Sequence, residues 1–438
     1  MLNIMLFSWI KTKKAPIVEL DALPITHLNK RSQPMGNIHN LSVIRQCFSY
    51  ISEENFCLPI SDYRVRKLTT FKSIKLILAS QLAKWDSYEQ ISQALRTSTT
   101  LQESLELSSI SGSQISRRLK TIPTEILEGL FLELIGKVKQ KALPSGIKDK
   151  QIRIIDSTCL KLPATLASWA YVTRDHTQIK IHVRVLVLTK SEEKEVIPEK
   201  AIPTTGNVSD YETMNLLVED DGTIYVMDRG YVKYKQFDTW LEQKVQFVTR
   251  INENHRVWQV EQELPVDPDS NITRDAIVQL GSAFRKTENS LRLVEFLDEK
   301  GRKYRLATSC LDLSAEEIAD IYRQRWLIEL FFKWMKQHLR LVKLYSYDPQ
   351  GIWNQIFIAL IAYAIAMLIH VSSGTRMSLW EVLQSLRLLW EKPNLLLETE
   401  LHRRSKSQSN KGRQRGTKIY KEPPIMNTSV GIIKPRGK

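Results

Sequence analysis

The sequence predicts an α/β protein in which a mixed sheet carries helices on its faces and a β-rich insertion, preceded by a helical N-terminal domain. Three observations predict this architecture. Apolar residues recur at helical spacing through residues 37–145. Short apolar runs then alternate with helical patterns between residues 152 and 251. Residues 252–310 break that alternation with consecutive strand patterns.

Composition and charge restrict the possible functions. The chain has 438 residues, of which 42% are hydrophobic and 25% charged, the balance of an ordinary globular protein. Its 63 Lys and Arg exceed its 48 Asp and Glu, which gives a net charge of +15. Such an excess favours a polyanion such as nucleic acid as partner, and a generic basic surface is the alternative. The four cysteines do not have zinc-site spacing, and they suit a reducing cytoplasm.

The two ends of the chain and one apolar segment have compositions that differ from the rest of the sequence. Residues 1–36 are predicted to be a leader, which begins apolar and then becomes basic, the reverse order of a secretory signal. Residues 381–438 are predicted to be a basic tail that contacts the DNA backbone. The segment Ile352 to Val371 has the length of a membrane span, but we expect a buried core helix and no membrane.

The helical domain, residues 37–145, contains a candidate DNA-reading element. Its helical patterns cover Leu41–Ile51, Phe71–Trp85, Tyr88–Leu95 and Ile126–Val138. Residues 113–120 follow a Ser-Gly turn and could be the second helix of a helix-turn-helix. Gln114, Arg117 and Arg118 would then face DNA. A basic, solvated helix face explains the same pattern equally well.

The predicted catalytic domain, residues 146–380, begins with the strand–helix alternation. Strands are predicted at Ile152–Ile155, Ile179–Leu188, Glu195–Ile202 (an edge strand), Thr223–Met227 and Val245–Ile251, and helices at Asp210–Leu217 and Tyr231–Gln243.

A β insertion at residues 252–310 interrupts this domain. Its predicted strands are Arg256–Val260, Ala276–Leu280, and a hairpin of Leu291–Leu297 with Arg302–Thr308. Ser314 then begins a long helix as its N-cap.

Asp156 and Asp228 each follow a short apolar run that reads as a buried strand. Functional groups of α/β sheets lie at the carboxyl ends of strands, and a buried carboxylate is costly without a metal or a partner. Either aspartate by itself could instead be a helix N-cap.

The helix around Glu329 carries a narrow charged stripe. At about 100° per residue, Tyr322, Arg325, Glu329 and Lys336 fall within roughly 60° of one another. Apolar residues fill most of the remaining circumference, which predicts a buried helix with one edge lining a polar cleft. The alternative is an Arg–Glu pair on a solvated face.

The residue types on this stripe suit phosphate chemistry. Glu329 is a hard oxygen ligand for Mg²⁺ or Mn²⁺, and Arg325 can bind a phosphate through paired hydrogen bonds. Lys336 and Tyr322 can reach other phosphate oxygens. Together with Asp156 and Asp228, Glu329 would hold a pair of divalent ions for phosphodiester chemistry. The sequence has no P-loop, dinucleotide-binding or zinc-peptidase motif.

At these residues the sequence resembles bacterial insertion-sequence transposases of the DDE superfamily. It resembles the subgroup marked by Y-(2)-R-(3)-E-(6)-K, with the tyrosine at Tyr322, the glutamate at Glu329 and the lysine at Lys336. Residues 154–158 (IIDST) and 228–231 (DRGY) look like the first and second aspartate motifs of that family. Gly206, Asn207 and Asp210 are similar to a turn upstream of the second motif.

The resemblance implies a ribonuclease-H-like core and cut-and-paste transposition, in which the element's ends are nicked, a hairpin forms and strand transfer follows. It implies two Mg²⁺ or Mn²⁺ ions held by Asp156, Asp228 and Glu329. The DNA-contacting residues that we expect are Tyr322, Arg325, Lys336, Arg229, Arg117 and Arg118. The expected partners are double-stranded DNA, as element ends and target, and a second copy in a synaptic homodimer acting at the nucleoid in the cytoplasm.

Three alternatives remain open from the sequence. The chain could be a catalytically silent DNA-binding relative, a metal nuclease of the same core without strand transfer, or, with the weakest support, a membrane protein. Trp326 and Trp240 could stack an extruded base, although we expect both in the core.

Overall fold

The computed structural model describes residues 41–52, 62–143, 151–173, 176–190, 193–339, 341 and 343–403. The predicted leader at residues 1–36 and the part of the basic tail beyond residue 403 lie outside these ranges.

The N-terminal region is helical, as the apolar spacing predicts. Its helices are α1 (Val43–Ser49), α2 (Thr70–Ala83), α3 (Tyr88–Thr97), α4 (Thr99–Leu105), α5 (Gly112–Leu119) and α6 (Thr124–Ala142). Hydroxyl side chains cap several of them: the Thr69 oxygen accepts from the Lys72 amide at the start of α2. Ser111 and Gln114 form a reciprocal capping box at the start of α5.

The long apolar segment is a core helix, as predicted. It forms α11 in chain order (Pro349–Ser373) and packs against α6 and α2. In the described residues it is the one helix long and apolar enough to cross a membrane, yet 83% of its apolar window is buried inside the protein. Its buried Asn354 is satisfied, because its amide donates to the carbonyls of Leu119 and Ile122 at 2.7 and 2.8 Å.

Two further helices occupy the start of the predicted tail. They are α12 (Leu379–Leu389) and α13 (Asn394–Leu401), so most of residues 381–401 is helical where the sequence predicts a tail. Ser378 and Glu381 form a capping box at the start of α12. Val382, Leu383 and Leu386 are buried in the same core as the N-terminal helices. The first part of the predicted tail therefore belongs to the folded core, because its apolar side chains are buried there.

In the second region, the described residues form a sheet of eleven strands. They are β1 (Ile152–Leu162), β2 (Tyr171–Thr173), β3 (His176–Lys190), β4 (Glu193–Thr205), β5 (Ile224–Met227), β6 (Gln246–Arg250), β7 (Val257–Glu263), β8 (Ile272–Ser282), β9 (Arg285–Lys286), β10 (Leu291–Leu297) and β11 (Lys303–Thr308). The main order is β2-β3-β1-β5-β6-β11-β10-β8-β7, with β4 on β3 and β9 on β8. The strands β1, β5 and β6 are parallel, and the other pairs are antiparallel. The sheet is therefore mixed, as predicted.

The first strand is longer than the sequence predicts. The expectation was a strand that ends before Asp156, but β1 continues to Leu162 because it pairs with β3 over its whole second half. The parallel pairing of β1 with β5 does end at Ile155, opposite Met227. Asp156 therefore lies within β1 but beyond its parallel neighbour.

Helices on this sheet are shorter than predicted. The predicted helix at residues 210–217 is a 3-10 turn (Asp210–Glu212) followed by α7 (Met214–Leu217). The predicted helix at residues 231–243 begins only at Tyr234, as α8 (Tyr234–Glu242). A 3-10 turn (Arg229–Tyr231) occupies the residues between Asp228 and α8.

The predicted insertion consists of strands that extend the same sheet, with β9 as an additional short strand. After it, the long helix predicted from Ser314 is divided into α9 (Ala315–Arg323) and α10 (Trp326–His338). Ser314 caps α9 as expected. The division comes from a tightened turn, in which Gln324 and Arg325 donate to the carbonyls of Ile321 and Tyr322, three residues back.

Candidate active site

Asp156 and Asp228 lie at the same edge of the sheet. Ile155 and Met227 are the last paired residues of the parallel ladder between β1 and β5, and each aspartate is the next residue along its strand. Parallel strands bring their carboxyl ends to one edge, which is where open α/β sheets bind ligands. The topology thus places two acids from distant parts of the sequence side by side.

The surroundings of Asp156 do not fully satisfy its charge. The Ser157 amide donates to its carboxylate at 2.7 Å, and Arg325 donates at 3.1 Å. Burial nevertheless raises the pKa of Asp156 to about 6, against the lowering effect of these two donors, and the charges of Asp228 and Asp210 raise it further. The site therefore favours an additional positive charge beside this carboxylate.

Arg325 connects two of the predicted acids. Its guanidinium contacts the Asp156 carboxylate at 3.1 Å and the Glu329 carboxylate at 2.5 Å. Burial alone would lower the pKa of Arg325, but Tyr322, Glu329 and Asp156 raise it above its ordinary value, so the guanidinium stays charged. It therefore neutralises both carboxylates in this structure.

Tyr322 connects the third acid to the same cluster. It is buried, and its hydroxyl donates to the Asp228 carboxylate at 3.3 Å. Burial is the largest cause that raises the pKa of Tyr322, followed by the Asp228 charge, so the phenol remains a donor. The turn that divides α9 from α10 separates Tyr322 from Arg325, and the two side chains reach the two aspartates.

The helix that carries Glu329 is less buried than predicted. Trp326 and Leu330 were expected to be covered, but 58% and 45% of these residues are exposed. The continuous charged stripe is divided by the same turn, since Tyr322 belongs to α9 and Glu329 to α10. Trp240, in contrast, is buried as expected.

The other two predicted DNA contacts of this domain flank the acids. The Lys336 ammonium donates to the Cys159 carbonyl of β1 at 3.2 Å, and burial lowers its pKa. Arg229 directly follows Asp228 and is exposed, with a 3.3 Å hydrogen bond to Asn252.

The basic helix α5 presents its two arginines differently. Arg117 is exposed. Arg118 pairs with Asp62 and donates to the Thr70 hydroxyl at 2.6 Å, which leaves 11% of its side chain exposed. Burial lowers the pKa of Arg118, against the effect of Asp62.

A polar cluster beneath the acids was only partly recognised from the sequence. Asp210 accepts from the Ser157 hydroxyl at 2.7 Å and from the Lys180 ammonium at 3.3 Å. The fully buried His182 lies 3.4 Å from the same carboxylate. Lys180 and His182 were missed, although they alternate on β3 toward one face, which is the signal that could have identified them.

The close approach of Asp210 explains why the second motif contains a glycine at position 230. A Cβ atom at this position would lie 2.9 Å from a carboxylate oxygen of Asp210, closer than such contacts occur. The glycine therefore allows the turn after Asp228 to pack directly on the Asp210 cluster.

The three acids fit a divalent cation chemically, with Arg325 between them in this conformation. In the described ranges, no group of three acidic, histidine or cysteine side chains is close enough to hold a metal ion as it stands. Their donor set is three hard carboxylates, and the raised pKa of Asp156 indicates a shortage of positive charge. A cation would replace Arg325 as the counter-charge.

A basic and aromatic cavity of about 610 Å³ adjoins Tyr322 and Arg325. Arg250 stacks on the Tyr304 ring at 4.3 Å, and the exposed Trp326 forms part of the wall. The cavity therefore offers both cationic and aromatic surfaces beside the acids.

Comparison with known proteins agrees with this geometry. A family model described as a transposase DDE domain matches residues 147–365, half of the chain, and includes Asp156, Asp228 and Glu329. The chain is 30% identical over 254 residues to a probable transposase for insertion sequence element IS5377 from Geobacillus stearothermophilus. This match covers 58% of the chain and 66% of that relative, just under two thirds of its length.

Two further relatives are described in similar terms. A putative transposase, y4zB, from Sinorhizobium fredii is 29% identical over 247 residues, which cover 56% of this chain and 67% of the relative. A putative transposase for insertion sequence element IS4SA from Synechocystis sp. is 25% identical over 333 residues, which cover 73% of this chain and 87% of the relative. The family match spans half of the sequence, so this chain belongs to the family of transposases with a DDE domain.

Proposed function

We propose that this protein cuts DNA at the ends of an insertion sequence and joins those ends to target DNA. In this proposal the sheet is a ribonuclease-H-like core of the Y-(2)-R-(3)-E-(6)-K subgroup. The observation that carries the proposal is the pair of contacts from Arg325 to Asp156 and to Glu329. These contacts bring β1 and the start of α10, which are distant in sequence, to one point, and the Tyr322 hydroxyl adds Asp228 after β5.

We assign Asp156, Asp228 and Glu329 as the ligands of two Mg²⁺ or Mn²⁺ ions. Such ions would lower the pKa of the attacking hydroxyl group and neutralise the phosphate. The protein's own groups would position the substrate. Arg325 exchanges its carboxylate partners for phosphate oxygens, and the Tyr322 hydroxyl donates to a neighbouring oxygen.

The reaction then has two kinds of step. In the first, water attacks the phosphorus at the element's end, the bond to the 3′ oxygen breaks, and a 3′-hydroxyl is released. In the second, that 3′-hydroxyl attacks another phosphodiester and displaces its 3′ oxygen. Attack on the opposite strand gives a hairpin and consumes the 3′-hydroxyl. Water then reopens the hairpin and regenerates the 3′-hydroxyl, whose attack on target DNA gives strand transfer. Both are in-line displacements, which paired metal sites support.

The DNA contacts follow from exposure and charge. We propose that Arg229 and Lys336 bind backbone phosphates on the two sides of the acids. In the N-terminal region Arg117 is the better placed of the two predicted arginines, because it is exposed and Arg118 is paired with Asp62. A second copy of the chain would hold the second element end.

The cavity beside Arg325 has the size for one unpaired nucleotide. Trp326 or Tyr304 would stack on its base, and Arg250 would bind its phosphate. This assignment rests on the exposure of Trp326, because a tryptophan that served only to fill the core would be buried.

The test is a cleavage assay with the full-length chain. DNA carrying the element's ends is incubated with Mg²⁺ or Mn²⁺, and the products are separated on a denaturing gel. Nicked, hairpin and joined products that disappear in Glu329→Ala support the proposal. Binding without products indicates a silent DNA-binding relative, and cutting without joining indicates a nuclease.

A further inference from the structure

A second basic cavity lies at the same edge of the sheet. It has a volume of about 380 Å³, and its cationic lining residues are Lys233, Arg256 and Arg285. None of its lining residues in the described part of the chain is acidic. No described carboxylate forms an ion pair with any of these three side chains. The cavity is therefore a positively charged hollow without a counter-charge from the described residues.

The position of this cavity connects it to the catalytic acids. Strands β5 and β6 are parallel, and the segments after their carboxyl ends form its floor. Lys233 lies in the connection that begins with Asp228, and Arg256 lies in the loop after β6. Arg229 joins the two segments through its 3.3 Å hydrogen bond to Asn252. A duplex held at Asp228 that continues over Arg229 would reach the cavity.

The walls of the cavity are fixed before any ligand binds. Arg305 donates to the carbonyls of Asn252, Glu253 and His255 at 3.0 to 3.2 Å, which holds the loop that ends at Arg256. The Tyr234 hydroxyl forms a 2.7 Å hydrogen bond with His255 across the cavity. A site whose groups are already ordered loses less conformational entropy when it binds.

The hairpin of β8 and β9 brings the third cation. Ser282 pairs with Arg285, and Gly281 has a φ of +130°. A Cβ atom on Gly281 would lie 2.2 Å from the Arg285 carbonyl, so only glycine permits this tight turn. The Gly281 amide donates to the Arg256 carbonyl at 2.8 Å, which fastens the hairpin beside the other cations.

The tip of this hairpin carries an exposed aromatic side chain. Phe284 is fully exposed, beside Arg285. An isolated apolar residue at a surface is common, but Phe284 lies at the tip of a tight turn beside cations that have no described carboxylate partner, where a bound duplex would contact it. A phosphate in the cavity would place an adjoining sugar or base edge near the ring.

We propose that this cavity binds a backbone phosphate of duplex DNA through Lys233, Arg256 and Arg285, and that Phe284 contacts the same duplex. The site is separate from the catalytic acids and from the cavity beside Trp326. It rests on the proposed function, since the ligand is the DNA on which the acids act. Its role is to hold the duplex on the Asp228 side of the cut.

The test measures binding rather than cutting. Affinity of the full-length protein for a labelled duplex with the element end, and for an unrelated target duplex, is measured over a series of salt concentrations without divalent metal. The variants are Arg256→Ala/Arg285→Ala, the conservative Arg256→Lys/Arg285→Lys, and Phe284→Ala. Lys235→Ala, which removes an exposed cation of α8 that does not line the cavity, is the matched control.

Each lost phosphate contact reduces the slope of log affinity against log salt by about 0.9. The double alanine variant is expected to lose most of this one contact, so its slope falls by up to about 0.9, and to bind about tenfold or more weakly at low salt. The double lysine variant restores most of the slope. Phe284→Ala weakens binding about fivefold with the slope unchanged, because an apolar contact releases no counterions. The duplex that shows the effect, end or target, identifies which DNA lies in the site.

Equal slopes for wild type, the double alanine variant and Lys235→Ala would overturn the proposal. The same preparations are assayed for cleavage with Mn²⁺. If wild type cuts and joins DNA while the slopes are equal, this inference alone fails. If wild type neither binds nor cuts, the proposed function and this inference fail together. The substituted residues are exposed, and matching melting curves verify that each variant is folded.

Discussion

Asp156 and Asp228 occupy matching positions on neighbouring parallel strands, each one residue beyond the last pair of the ladder, Ile155 and Met227. This relationship makes both carboxylates neighbours although 72 positions separate them in the numbering. The paired strands hold the two Cα positions in place, so the length of each side chain decides where its carboxylate lies. A change of side-chain length at either position therefore tests the catalytic proposal.

Asp228→Glu is expected to reduce cleavage at least about 100-fold, because one added methylene displaces the carboxylate by about 1 Å. Asp228→Asn is expected to abolish cleavage. Rates are measured in single-turnover assays with end DNA. Asp320→Asn, which alters an exposed acid of α9, is the control and should keep the wild-type rate. Equal activity of Asp228→Glu and wild type would contradict a ligand role.

Arg325 is the counter-charge of two carboxylates before metal binds. Arg325→Ala should therefore lower the free energy of unfolding in EDTA by about 1–3 kcal/mol, because the acids are left without it. Mg²⁺ should raise the melting temperature of this variant more than that of wild type. Thermal melting with and without Mg²⁺ measures both effects. If Mg²⁺ raises the melting temperature of the two proteins equally, Arg325 is not the counter-charge of the metal site.

Glu199 of β4 joins the helical region to the sheet. Its buried carboxylate accepts from Arg153 of β1 at 2.5 Å and from Lys139 of α6 at 2.6 Å. Arg184 of β3 pairs with the same carboxylate at 3.2 Å. Glu199→Ala should cost about 3 kcal/mol of unfolding free energy, because Arg153 would keep only the partly exposed Asp221 as its counter-charge.

Glu263→Ala, which breaks an exposed pair with Arg274, should cost less than about 1 kcal/mol. Denaturant unfolding measures the free energy of unfolding of both variants. Similar decreases for Glu199→Ala and Glu263→Ala would refute the structural role of Glu199.

His182 makes stability depend on pH. Burial lowers its pKa from 6.5 to about 4, although Asp210 and Glu212 oppose this and Lys180 adds to it. The unfolded chain therefore binds this proton more readily, so the stability is present above pH 6.5 and is lost as pH falls toward 4. The loss attributable to His182 should be on the order of 3 kcal/mol by pH 4.

His182→Asn removes the titrating group and tests this window. Unfolding free energies of wild type and variant are measured from pH 7 to pH 4. The unfolding free energy of wild type relative to that of the variant should fall as the pH falls from 7 to 4, whatever its sign at pH 7. A constant difference would mean that His182 does not titrate in this range.

The sequence predicted the parts of the fold that local patterns determine. Buried strands appear as continuous apolar runs, so β5 and β10 were located closely, and the apolar length of α11 indicated a core helix. The three acids were predicted as metal ligands because each directly follows such a run or lies on an amphipathic helix, and that assignment stays a prediction. The spacing of the residues around Glu329 also matched the signature of a known family, which gave functional information that the local patterns do not contain.

The remainder depends on contacts between distant segments. The turn at Gln324 and Arg325 contains no Gly or Pro, so the sequence does not predict it. It is formed by backbone hydrogen bonds of the 3-10 type, and the side chains on either side of it contact Asp228 and Asp156. Arg118 appeared to be a free surface cation, but its partner Asp62 lies 56 residues away. The helix α12 could have been predicted, because Ser378 and Glu381 form a capping-box pattern before an apolar stripe.

The most direct test of the central claim replaces Asp228 with cysteine and compares Mg²⁺ with Mn²⁺. A thiolate is a poor ligand for Mg²⁺ and a better one for softer metals. If Asp228 holds a catalytic metal ion, Asp228→Cys should produce no cut DNA with Mg²⁺ and should recover cleavage with Mn²⁺, whereas Asp228→Ala should fail with both. Cleavage by Asp228→Cys at the wild-type rate with Mg²⁺, or equal failure with both metals while DNA binding is intact, would contradict the assignment of Asp228 as a metal ligand.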